Sequence, residues 1–217
     1  MNNKVIAYIG ILGVGLFAVT AIVGGFLIDD YSVLSQYISE SFAIDTEYGW
    51  FLQTFGYIPS GILIMFFCFR TVNFFPDLKS IKVGFYGLGI FYGLGTILVG
   101  IFPCDTGCNV KLIDPSIAQL IHNAMAALTY IFVPICIIGI GLGLKQFPNY
   151  NRLFRIAMTS GVISAFFIFI LLANPESELR GLLQRIIESI FIIWIVSCAL
   201  NIMKHVATKG NEETQLH

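Results

Sequence analysis

Charged side chains are scarce in this chain, and their scarcity excludes several classes of protein. Asp, Glu, Lys and Arg together make up 12% of the 217 residues, which is about half of their usual share in a soluble domain. Hydrophobic residues make up 57%. This composition excludes a disordered chain, a coiled coil and an ordinary soluble enzyme. Since 12 basic residues face 13 acidic ones, for a net charge of -1, a nucleic-acid-binding surface is excluded as well.

Motifs of known chemistry are also missing. The sequence contains no Walker loop, nucleophile elbow or zincin motif, which are the short patterns that identify the common hydrolases and nucleotide-binding proteins. No charged residue lies near the middle of any apolar run, and this argues against an ion-coupled transporter. The sequence therefore assigns no cofactor and leaves open whether the protein is an enzyme.

Long apolar runs dominate what is present. A bilayer core of about 30 Å needs roughly 20 apolar residues in a helix, and the runs are continuous, whereas the strands of a membrane barrel alternate. We therefore predict an all-α fold, a six-helix transmembrane bundle in one domain, residues 1–217. The predicted spans are Val5–Ile28, Trp50–Phe69, Val83–Phe102, Ile117–Leu144, Ile156–Leu172 and Leu183–Met203.

The basic residues predict the orientation of this bundle. Six spans place both termini on one side, and if that side is the cytoplasm, the positive-inside rule is satisfied. Only three basic residues then lie outside, namely Lys111, Arg180 and Arg185. We predict a multi-pass protein of the bacterial inner membrane with both termini cytoplasmic, and an uncleaved first span.

Two cysteines lie close together in the loop that follows the third span. Cys104 and Cys108 would face an oxidising compartment on the outer side, so we predict a disulfide between them. The alternative is a metal site formed by both sulfurs with Asp105 and His122, although the spacing matches no recognised zinc pattern. We therefore assign no metal site from the sequence.

Polar residues inside the spans indicate a candidate site. His122 and Glu188 each lie five residues into a span, about 8 Å below its outer end at 1.5 Å per residue. We predict a polar cavity open to the outer leaflet, lined by these two residues with Asp105 and Arg185. His122, Glu188 and Asp105 are the catalytic candidates, and Arg185 would meet an anionic group. The alternative is a purely structural network of the same side chains.

Two further segments carry predictions. Residues 30–40 have the pattern of a short amphipathic helix, which would cap the cavity or anchor the protein at the head groups. Ser35 and Ser39 in this segment are candidate ligand-binding residues.

The third span is rich in glycine, and Gly89 and Gly93 form a small-xxx-small pair. Such a pair permits close helix contact, either within the chain or in a homo-oligomer.

Several short motifs of the chain occur together in one known family: Asp30-Tyr31-Ser32, Ser60-Gly61, Phe102-Pro103-Cys104-Asp105, His122, and Gly181-Leu182-Leu183-Gln184-Arg185 with Glu188. The chain thus resembles the bacterial six-span family labelled domain of unknown function 998, grouped with Frag-like membrane proteins. The resemblance implies six helices with the motif residues on the outer side, and it implies no particular activity.

Three functions remain open at this stage. We expect the protein to bind or process a membrane lipid or another amphiphile in the predicted cavity. A non-enzymatic scaffold or accessory subunit is the second interpretation. A small-solute transporter is the third, and the lack of charge in the middle of the spans argues against it.

Overall fold

A computed structural model describes the backbone of residues 3–214 and the side chains of residues 4–204. Within that part of the chain there are no strands, and six helices are long and apolar enough to cross a membrane. They are α1 (Lys4–Phe26), α2 (Gly49–Phe74), α3 (Lys79–Ile101), α4 (Ile117–Leu144), α5 (Pro148–Ala173) and α6 (Arg180–Lys204). The predicted all-α, six-helix fold is confirmed.

Three loops meet at one end of the bundle, which we call the loop end (residues 27–48, 102–116 and 174–179). The other end carries the short turns at residues 75–78 and 145–147, and we call it the terminal end. Backbone hydrogen bonds connect the first two loops to each other and the first loop to α6. Ile44 N–H donates to Cys104 O at 2.9 Å, and Leu182 N–H at the start of α6 donates to Leu34 O at 3.0 Å. The loop end is therefore a folded layer rather than a set of separate connections.

The helix boundaries differ from the predicted spans mainly in α5. This helix begins at Pro148, whereas the apolar run that predicts it begins at Ile156. The first two turns contain Asn151, Arg152 and Arg155, which hydropathy does not count as part of a span although they continue the helix. The length of an apolar run predicts the buried part of a helix and not its polar extension.

The prediction of an amphipathic helix in the first loop is wrong. Residues 38–42 form a short 3-10 helix, and all five of its residues are buried. Tyr37 N–H donates to Glu40 Oε1 at 2.8 Å, which closes the first turn of this helix in the manner of a capping box. The segment is inserted into the loop end, because its apolar residues Ile38 and Phe42 pack in a cluster with Phe17, Leu52 and Tyr57.

Two glycines allow α2 and α3 to approach very closely. A Cβ atom on Gly93 would lie 2.6 Å from the backbone of Met65, and one on Gly61 would lie 2.7 Å from the carbonyl oxygen of Gly93. Backbone atoms cannot move aside, so only glycine fits at either position. Each helix also contains a π-helical segment, Gln53–Tyr57 in α2 and Gly89–Leu94 in α3. The glycine pattern of the third span thus serves packing within one chain, and a homo-oligomer contact remains a prediction.

Candidate functional site: a buried polar cavity at the loop end

A cavity of about 290 Å³ lies between the helices just below the loop end. His122 on α4 and Glu188 on α6 both line it, as do Ser39 and Cys108 from the loops. Three of its lining residues are exposed, Ala127 on α4 and Leu172 and Pro175 around the end of α5. The cavity therefore opens between α4 and α5, at the level where the helices join the loops.

Glu188 is a buried carboxyl group with unmet hydrogen-bonding capacity. Its side chain is 7% exposed, and its Oε1 accepts a hydrogen bond from the Tyr130 hydroxyl at 3.2 Å. Its Oε2 is buried without a partner. None of the salt bridges formed among the described side chains involves Glu188. Burying an unsatisfied carboxyl oxygen is costly unless a ligand or water completes its contacts.

Two tyrosines add polar groups that sequence reasoning did not identify. Tyr57 and Tyr92 line the cavity, each is 1% exposed, and neither hydroxyl group has a hydrogen-bond partner at 3.5 Å or closer within the described part of the chain. The Tyr92 hydroxyl faces the Glu188 carboxyl group, and the Tyr57 hydroxyl faces Ser41. A tyrosine in the interior of an apolar run was the available signal, because a buried phenol usually finds a partner. Together with Glu188 Oε2, these hydroxyls make three unpaired polar atoms on the wall of one cavity.

His122 lies on the wall of the cavity with one nitrogen already engaged. Its ring is 4% exposed, and Nδ1 lies 2.9 Å from the Phe102 carbonyl oxygen at the end of α3. A carbonyl oxygen can only accept, so the contact with Phe102 favours the neutral tautomer that carries its proton on Nδ1 and a lone pair on Nε2. The Val99 carbonyl group is a second backbone acceptor beside the ring. The imidazole can therefore accept a proton or bind a metal ion through Nε2.

Arg185 was expected in the cavity, and the structure places it elsewhere. Its Nη1 donates to the carbonyl oxygens of Val33, Gln36 and Gly181, each at 3.0 Å. Its Nη2 donates to the Tyr31 hydroxyl at 2.7 Å. Arg185 does not line the cavity, because these four contacts hold the guanidinium against the first loop. The same loop also buries Tyr31, and this desolvation raises the pKa of the Tyr31 hydroxyl.

Asp105 is also separate from the cavity lining. Its Oδ2 accepts from the Ser116 backbone N–H at 3.0 Å, just before α4 begins. The hydrogen bonds with Ser116 hold the pKa of Asp105 below its usual value. Its own N–H donates to Gln119 Oε1 at 2.7 Å. Asp105 thus connects the segment from Cys104 to Cys108, which we call the cysteine loop, to the start of α4.

The two serine candidates have different positions. Ser35 lies outside the cavity lining, and its N–H donates to the Ser32 hydroxyl at 3.3 Å. Ser39 is buried and lines the cavity beside the cysteine loop. Cys104 and Cys108 form a disulfide in the structure, with their Cα atoms 4.8 Å apart. Ser39 Oγ lies 3.2 Å from Cys108 Sγ.

These features define a class of protein: a six-helix membrane protein whose folded loop layer covers a buried polar cavity. The sequence model of the family described as "Protein of unknown function (DUF998)" matches residues 11–201. The chain belongs to this family, as the sequence motifs indicated. No curated protein and no solved structure matches the chain.

Proposed function

We propose that the protein binds or processes a lipid or another amphiphile in the cavity at the loop end. The observation that carries this proposal is the unpaired Oε2 of Glu188 in a cavity that opens between two membrane-spanning helices. An amphiphile can enter such an opening from the bilayer, with its head group at Glu188 and its chain along Leu172. The positive-inside rule supports the loop end lying at the outer leaflet.

The polar atoms on the wall favour a head group that donates hydrogen bonds. Glu188 Oε2 is an acceptor or a negative charge, and the Tyr57 and Tyr92 hydroxyls can each donate or accept. Arg185 is engaged by the first loop, and no arginine of the described residues lines the cavity. An amine or a hydroxyl-rich head group therefore fits better than a bare phosphate, and charge-assisted bonds to the carboxylate would be the strongest contacts.

Proton exchange is the chemistry that this site could add to binding. A carboxyl group and a neutral imidazole on one cavity wall are the usual side chains of general acid–base catalysis. His122 presents Nε2 with a lone pair, while Nδ1 is fixed by the Phe102 carbonyl group. Processing of the bound amphiphile would use His122 and Glu188, since Asp105 does not line the cavity.

The test is the lipid that remains bound after purification in mild detergent, extracted and quantified by mass spectrometry. Glu188→Gln should reduce the retained amphiphile roughly tenfold or more, because a hydrogen bond to a charged group contributes about 1.5–3 kcal/mol. Ala126→Leu should have a similar effect through a different cause, since Ala126 lines the cavity and the larger side chain would fill it.

The matched control is Glu178→Gln, which neutralises an exposed acid at the same end of the bundle. It should leave the retained lipid unchanged. Equal lipid profiles for the wild type, Glu188→Gln and Ala126→Leu would refute the proposal.

A non-enzymatic scaffold or accessory subunit is the second candidate, and the positions of Arg185 and Asp105 favour it. Both side chains are committed to holding loops together. If this is the function, Arg185→Gln should lower the unfolding temperature in detergent, and neither this change nor Glu188→Gln should remove a bound molecule. Measuring stability and lipid content on the same samples separates the two candidates.

A further inference from the structure

The cysteine loop reaches the cavity, and the proposed amphiphile site makes no use of its sulfur atoms. Cys104 is fully buried and Cys108 is 7% exposed. Cys108 and His122 both line the cavity. Buried sulfur atoms beside an imidazole on a cavity wall form a set of ligands typical of metal sites in proteins.

The distances fit one metal ion. The two Sγ atoms and a ring nitrogen of His122 all lie within 4.8 Å of one another. In a tetrahedral zinc site with Zn–S of about 2.3 Å and Zn–N of about 2.1 Å, donor atoms lie roughly 3.6 Å apart. The histidine is therefore near its required place already, and the sulfurs need only separate once their bond is broken.

We propose that reduction of the disulfide turns Cys104, Cys108 and His122 into a binding site for a thiophilic divalent cation, with zinc as the expected ion. A dithiol reductant gives two electrons and two protons to the disulfide and becomes a disulfide itself. The two resulting thiols release two protons when Zn2+ binds, so that two thiolates and one neutral imidazole coordinate it. While Cys104 and Cys108 are bonded to each other, the site has no thiolate and does not bind the ion.

Two contacts around the ligands support this site. The Nδ1–H group of His122 donates to the Phe102 carbonyl oxygen at 2.9 Å, which is the outer contact that metal-binding histidines usually make, and it leaves Nε2 for the metal. The Ser39 hydroxyl lies 3.2 Å from Cys108 Sγ. While the sulfurs are bonded only the hydroxyl can donate in this contact, and the same donation would stabilise a thiolate after reduction.

The fourth coordination position faces the cavity. Asp105 is the nearest carboxylate in sequence, but its Oδ2 is occupied by the Ser116 N–H. Cys108 and His122 lie on the cavity wall, so a water molecule or a ligand in the cavity can complete the coordination. Three protein ligands with one open position are the arrangement of catalytic rather than structural zinc sites.

The experiment uses the full chain in detergent, prepared with and without a phosphine reductant under anaerobic conditions. Each sample is incubated with ZnCl2 and desalted, and zinc is quantified by mass spectrometry. The reduced wild type should retain about one zinc ion per chain, and the oxidised wild type should retain almost none. With Co2+ in place of Zn2+, the reduced protein should show a thiolate-to-cobalt charge-transfer band.

Variants identify the ligands. Cys104→Ser, Cys108→Ser and His122→Gln should each lose most of the retained zinc under reducing conditions. Cys136→Ser is the matched control, because Cys136 is a free, half-buried cysteine outside the cluster, and it should retain zinc like the wild type. The proposal is wrong if the reduced wild type retains no zinc, or if Cys108→Ser and His122→Gln retain as much as Cys136→Ser. The wild-type comparison of the two redox states needs no variant and decides the question if a variant does not fold.

Discussion

The two ends of the bundle are stabilised in different ways. At the terminal end the helices meet through apolar side chains that are completely buried, including Phe67, Ile81, Phe85, Ile140 and Leu144. At the loop end, polar side chains bind backbone groups of the loops, and the packing leaves a cavity of about 290 Å³. The terminal end is thus stabilised mainly by apolar packing, whereas the loop end depends on hydrogen bonds between side chains and the backbone of the loops.

Unpaired polar atoms show what this difference means for function. Trp194 Nε1 is buried without a partner, as Glu188 Oε2 is. However, Trp194 lies in the apolar core and does not line the cavity. Glu188 Oε2 lies beside a space that a ligand can fill. An unsatisfied polar atom therefore indicates a binding site only where a cavity adjoins it.

Arg185→Gln tests whether hydrogen bonds hold the loop end, and it should have the largest effect. The change removes a guanidinium from three carbonyl oxygens and the Tyr31 hydroxyl. We expect a loss of about 3 kcal/mol, because hydrogen bonds to charged groups contribute about 1.5–3 kcal/mol each and do not add fully. Limited proteolysis within residues 27–48 should become roughly a hundredfold faster, since 1.4 kcal/mol corresponds to a factor of ten.

Arg155→Gln is the control for this change, since Arg155 is an exposed arginine near the terminal end. It should alter the cleavage rate of the first loop by less than about twofold, as surface substitutions usually do. Equal cleavage rates for Arg185→Gln and the wild type would show that packing, and not the guanidinium, holds this loop.

The position of Arg185 also shows where prediction from the sequence reached its limit. The apolar runs predicted the six helices because a span must match the bilayer thickness. Helical spacing placed His122 and Glu188 on inward-facing sides at similar depth, and both side chains line the cavity. Arg185 shares the face of Glu188, yet its partners are carbonyl oxygens of Val33 and Gln36 in an irregular loop. Backbone acceptors of this kind have no sequence pattern.

Tyrosines and loop geometry were the other features that sequence reasoning missed. Tyrosine is counted among the hydrophobic residues of the composition, so the hydroxyl groups of Tyr57 and Tyr92 on the cavity wall were not anticipated. Residues 30–40 were predicted as a surface helix, because their apolar spacing fits either environment, whereas the structure has a buried 3-10 helix at residues 38–42. Burial at the loop end depends on contacts between loops that are distant in sequence, and the sequence of one segment does not reveal these contacts.

Gly84→Ala tests the packing at the terminal end and should have the second-largest effect. A Cβ atom at Gly84 would overlap Ile140 Cγ1 and lie 3.0 Å from the Cys136 carbonyl oxygen. Ile140 is completely buried, so it has no free space to move into. Overpacking of this kind costs about 1–3 kcal/mol, and the loss should appear as a lower unfolding temperature in detergent.

Gly139→Ala is the matched control, because a Cβ atom there meets nothing within 4 Å. Alanine also favours a helix over glycine by about 1 kcal/mol, so this variant should be as stable as the wild type or slightly more stable. If both glycine variants were equally stable, the terminal end would be more loosely packed than its buried side chains indicate.

Asp105→Asn should have the smallest effect, and it tests the loop end through the pH dependence of the unfolding temperature. Hydrogen bonds with Ser116 lower the pKa of Asp105 in the folded protein. The carboxylate therefore contributes stability that is fully present above its unfolded pKa of about 3.9 and is lost as the pH falls through the folded value. The unfolding temperature of the wild type should exceed that of Asp105→Asn near pH 6, and the gap should shrink steadily as the pH approaches about 2.

Thr106→Val is the control for the pH series, since it changes the neighbouring exposed residue without adding or removing an ionisable group. Its difference from the wild type should stay constant over the same pH range. A gap between the wild type and Asp105→Asn that is constant or widens toward low pH would mean that the Ser116 hydrogen bonds do not favour the ionised form. The connection between the cysteine loop and α4 would then depend on Gln119 Oε1, which accepts from the Asp105 N–H whatever the charge of the side chain.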